Sequence, residues 1–171
     1  MKKIFILFSL VFTFTLCQGQ YAGFVAGNNA VIGPYSAELI TDGDFNLEAN
    51  HDWALTGGWT YNTTTHTMDF DDNTNGNLVQ PDGYMVTSIE PNTTYKLEFD
   101  IDIVGGGNAN FNIKSSDGVE WVAYADYADG HHNFEINTGA DIGAGGLYMR
   151  ANTADCDAAF TIDNISLKKK Y

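Results

Sequence analysis

One stretch, from Thr94 to Val104, constrains the fold more than any other part of the sequence, because its apolar and polar residues alternate without a break. Successive side chains of a β-strand point to opposite faces, so this alternation predicts a half-buried antiparallel strand. Its eleven residues would span ~35 Å, enough to cross the whole width of a sheet sandwich. The predicted inward residues are Tyr95, Leu97, Phe99, Ile101 and Ile103, and the outward ones are Lys96, Glu98, Asp100 and Asp102.

Shorter strand patterns recur along the rest of the chain, separated by turns rich in Gly, Asn and Thr. No window of a dozen residues carries the apolar stripe of a helix. The predicted fold class is therefore all-β, a β-sandwich jelly roll of two antiparallel sheets. The shorter strands are predicted at residues 38–40, 58–61, 66–70, 76–80, 84–89, 109–114, 119–125, 133–137, 146–151 and 158–168.

The last of these patterns changes phase in its middle. Phe160 and Ile162 share one face, but the next apolar pair, Ile165 and Leu167, falls on the other. An extra residue in one strand restores the phase, so we predict a β-bulge or bend at residues 163–164.

The first residues have the features of a secretory signal peptide. Lys2 and Lys3 precede thirteen mostly apolar residues, and small side chains follow at Cys17-Gln18-Gly19. Thirteen residues are fewer than the roughly 20 that span a bilayer, although Cys17 leaves a lipoprotein signal open. We predict cleavage after residue 19 and a protein that is secreted or lies at the cell surface.

The remaining chain is expected to hold an uncharged, flexible N-terminal arm at residues 20–35 and a single domain at residues 36–169. Only Cys156 would remain after cleavage, which excludes an internal disulfide. Its thiol is then either buried or a risk for dimerisation.

Acidic residues dominate the charge of the chain. It has 22 Asp and Glu against 8 Lys and Arg, a formal net charge of −14. A surface this negative repels phosphate backbones and anionic lipids, so nucleic acid and membrane surfaces are poor candidate partners, and we predict no nucleic-acid binding and no membrane insertion. Neutral sugars and divalent cations fit such a surface better.

Several segments resemble the carbohydrate-binding modules of the CBM4/9/22 type, which are galactose-binding-domain-like β-jelly rolls. The resemblance covers residues 36–169 in order, and the segments that carry it are ELITDGDF at 38–45, Gly58-Trp59, PNTTY at 91–95 and FTIDNISL at 160–167. It implies non-catalytic binding of a polysaccharide or cell-surface glycan. Jelly rolls of this kind are also used in phage tail and adhesion proteins, so the resemblance supports the fold more than any one ligand.

The same resemblance implies a structural Ca²⁺ where the first turn, a loop before the fourth strand and the last strand meet. Asp163 matches the acidic position of the last strand, and Asn46 stands where the family often has Glu. An amide oxygen can bind Ca²⁺ but contributes no charge.

A second calcium hypothesis comes from residue spacing. Asp71, Asn73, Asn75 and Asp82 occupy positions one, three, five and twelve of a Ca²⁺-loop pattern with glycine at position six. The flanking patterns are strands, which excludes an EF-hand. The alternative is a polar β-turn built on Asn75-Gly76.

Sugar binding by such modules needs exposed aromatic rings beside hydrogen-bonding side chains. The densest aromatic cluster lies at residues 120–127, and the alternative is that these rings fill the core, as strand aromatics usually do. Trp59 is expected to be such a core residue. The candidate ligand-binding residues are Trp121, Tyr124, Tyr84, Tyr127 and Arg150, with Tyr148 on a strand that could line the same face.

Two further patterns permit other chemistry. Glu98, Asp100 and Asp102 resemble the carboxylate strand of laminarinase-like glycosidases, and their alternative is the solvated face of an amphipathic strand. His131-His132 lacks a third metal ligand at matching spacing and is expected at the start of a strand.

The function predicted from the sequence is thus exported, non-catalytic carbohydrate binding with structural calcium. The leading alternative is a structural or adhesive surface, filament or virion protein that self-associates through residues 20–35, since the pairing of an uncharged arm with a neighbouring sheet is a known mode of assembly. A small hydrolase would rest on the carboxylates at residues 98–102 alone.

Overall fold

The computed structural model describes residues 33–47, 52–115, 118–143, 145–154, 156 and 158–171, which lie in one compact unit, Gly33–Tyr171. The predicted signal peptide and residues 20–32 of the predicted arm lie outside these residues, so they stay predictions. Over the described ranges, no helix is long and apolar enough to cross a membrane.

The described chain consists of ten β-strands and one short 3₁₀ helix, Asp82–Tyr84. The strands are β1 (Ala54–Leu55), β2 (Trp59–Asn62), β3 (Thr67–Phe70), β4 (Gly76–Gln80), β5 (Thr94–Ile103), β6 (Ala109–Lys114), β7 (Glu120–Tyr127), β8 (Gly130–Asn137), β9 (Leu147–Ala151) and β10 (Phe160–Lys169).

The strands form two five-stranded sheets, in the orders β1-β4-β9-β6-β7 and β2-β3-β10-β5-β8. Every pairing of neighbouring strands is antiparallel. Strands that are distant in sequence lie side by side in each sheet, as crossing connections between two sheets require. The predicted all-β jelly roll is confirmed.

Strand β5 has the alternation that its sequence predicts. Tyr95, Leu97 and Phe99 are fully buried, whereas the residues between them are only partly buried. The strand pairs with β10 on one side and with β8 on the other, so it occupies the interior of its sheet. One face of β5 is uniformly apolar because that face packs in the hydrophobic core.

The core lies between the two sheets and is rich in aromatic rings. Trp59 packs against Phe70 and Phe160 with ring centroids 5.3 and 5.4 Å apart, which confirms its predicted core position. Phe111 stacks on Tyr127 at 4.2 Å. Burial of each such side chain contributes roughly 1.5–3 kcal/mol, and the ring pairs add to this.

The predicted irregularity of β10 is confirmed. Its register with β5 shifts between Asp163 and Ser166, and Asn164 has a φ of 52°. The shift lets Ile162 and Ile165 both point inward, where each is buried. The backbone N–H of Ile165 donates to the carbonyl of Gly43, so the irregularity also holds the first turn of the domain.

Two predicted strands are wrong. Residues 84–89 leave the 3₁₀ helix without joining a sheet, although Met85 and Ile89 are buried and the N–H of Val86 donates to the carbonyl of Leu39. Residues 38–40 are also not a strand, although the N–H of Leu39 donates to the carbonyl of Leu167. Both segments bury apolar side chains, but neither forms the continuous backbone hydrogen bonds of a β-strand.

Candidate functional site

The candidate site lies on the outward face of the sheet β1-β4-β9-β6-β7. Strand β9 turns Leu147, Met149 and Ala151 toward the core, so the residues between them, Tyr148 and Arg150, point away from it. Strand β6 does the same with Ala109, Phe111 and Ile113, which leaves Asn110, Asn112 and Lys114 on the outward side.

Strand register brings these side chains together. Tyr148 lies opposite Lys114 and Arg150 lies opposite Asn112 across the β6–β9 pair. On the other side of β6, Glu120 lies opposite Lys114 and Asp126 opposite Asn110. We call this set the outer face and define it by Asn110, Asn112, Lys114, Glu120, Asp126, Tyr148 and Arg150.

Two asparagine amides on β6 are fixed by carboxylates on β7. The Nδ2 of Asn110 donates to Asp126 at 2.7 Å, and the Nδ2 of Asn112 donates to Glu120 at 2.7 Å. A carboxylate only accepts hydrogen bonds, so these contacts fix which end of each amide is the nitrogen. The side-chain oxygens of both residues therefore point elsewhere.

Those two amide oxygens, Oδ1 of Asn110 and Oδ1 of Asn112, are buried and accept no hydrogen bond from the described residues. The two residues are only 9 % and 6 % exposed. An unsatisfied buried acceptor costs about 1–3 kcal/mol, so any donor that reached these oxygens would be favoured. A hydroxyl group is such a donor.

An aromatic ring and two cations complete the outer face. The Nζ of Lys114 lies 5.7 Å from the centroid of the Tyr148 ring, within the range of a cation–π contact. Burial, and next the nearby charge of Arg150, lower the pKa of Lys114, which the carboxylate of Glu120 partly offsets. The face thus combines a ring, amides and charged groups.

Two of the predicted sugar-binding residues lie on or beside this face. Arg150 is part of it and is exposed. Tyr124 is 38 % exposed and alternates with Ala125, which packs against the core, so Tyr124 lies on the same side of β7 as Asp126. Tyr84 is 57 % exposed but lies in the 3₁₀ helix after β4, outside the sheet.

The other two predicted rings both contact the core. Tyr127 is 6 % exposed and belongs to the core, where burial raises its pKa to about 12. Trp121 is half-buried and packs against the core, with its indole N–H buried and without a partner among the described residues. Part of the Trp121 ring thus contacts the core, and its role in sugar binding stays a prediction.

Sequence analysis did not single out Asn110, Asn112 or Lys114. Their signal is the alternation within β6, where two asparagines and a lysine are interleaved with residues that become core. Strands in the interior of a sheet rarely carry side-chain amides unless those amides form hydrogen bonds. The alternation in β6 could therefore have indicated a polar site on its outward face.

The predicted Ca²⁺ loop is not assembled. The carboxylate of Asp71 accepts from the backbone of Asn73, whereas the side-chain oxygen of Asn75 accepts from Thr153. Asp82 lies beyond the whole of β4 and accepts from Ser88. The five residues of β4 would span ~17 Å, so Asp71 and Asp82 do not surround a common ion.

The calcium site that the resemblance implies stays a prediction, and the structure gives the positions of the residues named for it. The first turn and the last strand meet, and the carboxylate of Asp44 lies close enough to Asp163 to act on its charge. Asn46 donates its amide to Asp44 at 2.6 Å. No group of three or more acidic, histidine or cysteine side chains suited to a metal occurs in the part of the chain described here, so Ca²⁺ would need amide and backbone oxygens to complete its shell.

The glycosidase-like carboxylates lie on the outward face of the other sheet. Glu98 pairs with Lys96 at 2.8 Å, and this hydrogen bond is the main reason that its pKa is lowered. Asp100 accepts from His131 at 2.7 Å and from Asn164 at 2.8 Å. His131 and His132 begin β8 as predicted, and His132 stacks on Phe99.

Cys156 is buried and bridges the backbone of Asn110. Its Sγ donates to the Asn110 carbonyl at 3.1 Å and accepts from the Asn110 N–H at 3.3 Å. The first of the two predicted alternatives for this thiol, burial, is confirmed. The contact helps to hold the end of β6 that carries Asn110.

No protein-family model and no curated protein matches this sequence. Among solved structures, a CBM4 module superposes with a TM-score of 0.54 at 13 % identity, over 77 % of this chain and 99 % of the module. A cyclase from Fischerella sp. superposes with a TM-score of 0.52 at 12 % identity, over 80 % of this chain and 97 % of the cyclase.

An arabinose-bound α-L-arabinofuranosidase superposes with a TM-score of 0.55 at 11 % identity and covers 77 % of this chain. This chain spans only 26 % of that enzyme's length. At such low identities the similarity establishes a fold and not an activity. The chain is a β-jelly roll of the kind found in carbohydrate-binding modules.

Proposed function

We propose that this protein is an exported, non-catalytic carbohydrate-binding module that binds a polysaccharide or cell-surface glycan on its outer face. The observation that carries the proposal is the pair of buried amide oxygens on β6, which lack donors among the described residues. Sugar hydroxyls are donors, and a glycan that lies across the sheet would present several of them.

The Tyr148 ring supports the proposal. A pyranose has an apolar face that packs on an aromatic ring, and Tyr148 lies outward on β9, next in register to Lys114. Tyr124, on the neighbouring edge strand β7, offers a second exposed ring. Rings and amides on adjacent strands suit an extended chain of sugars better than a single small molecule.

Absence of glycosidase activity is part of the proposal. A retaining or inverting glycosidase needs one carboxylic acid whose pKa is raised so that it can protonate the leaving group. Glu98 has a lowered pKa because of Lys96, and Asp100 is held by His131 and Asn164. The lowered pKa of Glu98 is the opposite of what a general acid needs.

Affinity gel electrophoresis on a panel of neutral and acidic polysaccharides tests the proposal. We expect retardation of the wild-type protein by at least one polysaccharide and a loss of roughly tenfold in affinity for Tyr148→Ala, because the stacking ring is removed. Tyr171→Ala, which truncates a ring that is 69 % exposed at the chain terminus, is the matched control.

Retention of the wild-type melting temperature by Tyr148→Ala would show that the lost affinity is not a loss of folding. Equal affinities of the wild type and Tyr148→Ala would contradict the outer face as the binding site. Release of reducing sugar from any bound polysaccharide would contradict the non-catalytic assignment.

A further inference from the structure

The basic residues of the protein fall into two groups. Six lie in the described part of the chain, and four of these, all lysines, form ion pairs with carboxylates. The pairs are Lys96–Glu98 at 2.8 Å, Lys168–Glu38 at 3.7 Å, Lys169–Glu90 at 2.8 Å and Lys170–Glu135 at 2.6 Å. The remaining two, Lys114 and Arg150, form no ion pair with the described residues, and both belong to the outer face.

This lack of partners is unusual in a chain of net charge −14, where each cation has several acids to choose from. Glu120 lies opposite Lys114 in the sheet, yet its carboxylate accepts the amide of Asn112 at 2.7 Å. The Lys114 ammonium lies over the Tyr148 ring instead. Arg150 is exposed and makes no side-chain hydrogen bond to any described residue.

The two cations are also close to each other. Arg150 lies opposite Asn112 and Lys114 lies opposite Tyr148, so the two are diagonal neighbours on adjacent strands, ~7–8 Å apart at their backbones. Both side chains are long enough to reach one anion between them. The positive charges of Arg150 and Lys114 repel each other, and this repulsion helps to lower the pKa of Lys114. Without a bound anion, the repulsion destabilises the arrangement.

We infer that the glycan bound at the outer face carries carboxylate groups, as uronic acid residues do, and that Arg150 and Lys114 bind such a carboxylate while Tyr148 packs on the sugar ring. This inference rests on the proposed function. The planar guanidinium of Arg150 matches the two oxygens of a carboxylate, and the ammonium of Lys114 adds a second charge-assisted hydrogen bond.

A neutral glycan would not account for the arrangement. Hydroxyl groups alone would satisfy the amide oxygens of Asn110 and Asn112. A neutral group would leave the repulsion between the two adjacent cations, which Glu120 offsets only in part. The rest of the surface is acidic and repels polyanions at long range. The two cations would therefore attract a carboxylate only at short range, on the outer face.

Isothermal titration calorimetry with a matched pair of ligands tests the inference. The first ligand is a galacturonic acid oligosaccharide, and the second is the same oligosaccharide with its carboxyl groups reduced to primary alcohols. Oligosaccharides of glucuronic and mannuronic acid extend the series. We expect at least one uronic acid oligosaccharide to bind at least about tenfold more tightly than its reduced form, because charge-assisted hydrogen bonds are lost on reduction.

Three single-charge variants locate the effect. Arg150→Gln and Lys114→Met, which keeps the aliphatic stem over Tyr148, are each expected to weaken binding of the acidic ligand roughly tenfold and to change binding of the reduced ligand less than about twofold. Lys170→Gln removes the same charge from the residue after β10, which pairs with Glu135 of β8, and is expected to change neither affinity. Melting temperatures of all three variants report on folding.

The outcomes separate this inference from the proposed function. Equal affinity for the acidic and reduced ligands, with Tyr148→Ala still weakening the binding of both, would overturn the inference and leave the proposed function standing. Equal weakening by Lys170→Gln and Arg150→Gln would also overturn it, since only overall charge would then matter. Tighter binding of a sulfated glycan than of any uronic acid oligosaccharide would overturn the assignment to carboxylates, and no binding of any glycan would overturn both proposals.

Discussion

At the scale of single residues, the carboxylate of Asp163 lies where the first turn meets the last strand, and its charge is unfavourable there. Burial raises the pKa of its carboxyl above the usual 3.8, and the charges of Asp100 and Asp44 raise it further, against the hydrogen bond from Asn164. A carboxylate with a raised pKa in the folded state destabilises that state whenever it is ionised. The folded state would therefore be more stable if residue 163 were uncharged, as a protonated acid or an amide, or if a bound cation neutralised its charge.

We predict that Asp163→Asn makes the protein more stable at pH 7 in the presence of EDTA. The folded pKa lies above the unfolded one, so the penalty of the wild type is complete above the folded pKa and disappears as the pH falls to the unfolded value. The advantage of the variant should shrink over that window. Urea unfolding at several pH values measures it, and Asp102→Asn, an exposed neighbour on β5, is the control.

Calcium should favour the wild type over Asp163→Asn, the opposite of the order expected in EDTA. A divalent cation held by Asp163 and Asp44 would neutralise the crowded charges in the wild type, so Ca²⁺ in place of EDTA should raise the melting temperature of the wild type more than that of Asp163→Asn. An equal effect of Ca²⁺ on both proteins would exclude Asp163 as a ligand. A variant no more stable than the wild type in EDTA would contradict the electrostatic account.

Which rings face the core could be predicted only in part. The strict alternation of β5 fixes its inward residues, and Trp59 follows from its strand in the same way. Strand β7 behaves differently, because its register with β6 shifts twice. Each shift moves side chains to the other face, so the orientation of Trp121 depends on irregularities that its own sequence does not reveal.

At the scale of secondary structure elements, the irregularity of β10 and the first turn form one unit. The N–H of Ile165 donates to the carbonyl of Gly43 at 2.9 Å. A Cβ at Gly43 would overlap the backbone oxygen of Ile165 and approach the side chain of Ile40 at 3.2 Å. The close approach of two backbones is therefore the reason for a glycine in this turn.

We predict that Gly43→Ala destabilises the protein by roughly 1–3 kcal/mol, because the methyl group pushes the first turn away from β10. Gly83→Ala is the matched control, since a Cβ at that position meets nothing within 4 Å, and its effect should stay within about 0.5 kcal/mol. Urea unfolding monitored by tryptophan fluorescence measures both variants. Equal effects of the two substitutions would contradict a specific contact at Gly43.

The strands that were predicted best are those whose sequence alternates between apolar and polar residues. Strands β4 and β6 have the predicted bounds, and β5 ends one residue early. The segment at residues 84–89 failed because burial of Met85 and Ile89 produces an apolar pattern whether or not the backbone joins a ladder. Pairing partners are a tertiary property, and the two-residue strand β1 is too short to carry any periodic signal.

At the scale of the whole molecule, charge is distributed unevenly between the two sheets. Each of the four lysine ion pairs has at least one partner on the sheet β2-β3-β10-β5-β8. The two cations of the outer face form no ion pair with the described residues. Acidic residues outnumber basic ones 22 to 8, and this excess imposes self-repulsion on the compact state. Stability should therefore depend on ionic strength.

We predict that raising NaCl from about 10 mM to about 0.5 M at pH 7 increases the melting temperature by a few degrees, because the screening length falls from about 30 Å to a few ångströms. Asp102→Lys, at an exposed position on β5, should stabilise the protein by about 0.5 kcal/mol at low salt and by less at high salt. Differential scanning calorimetry at both salt concentrations measures the two effects together. A melting temperature that falls with added NaCl, or a gain from Asp102→Lys that is the same at both concentrations, would mean that local contacts outweigh the net charge of −14 in setting stability.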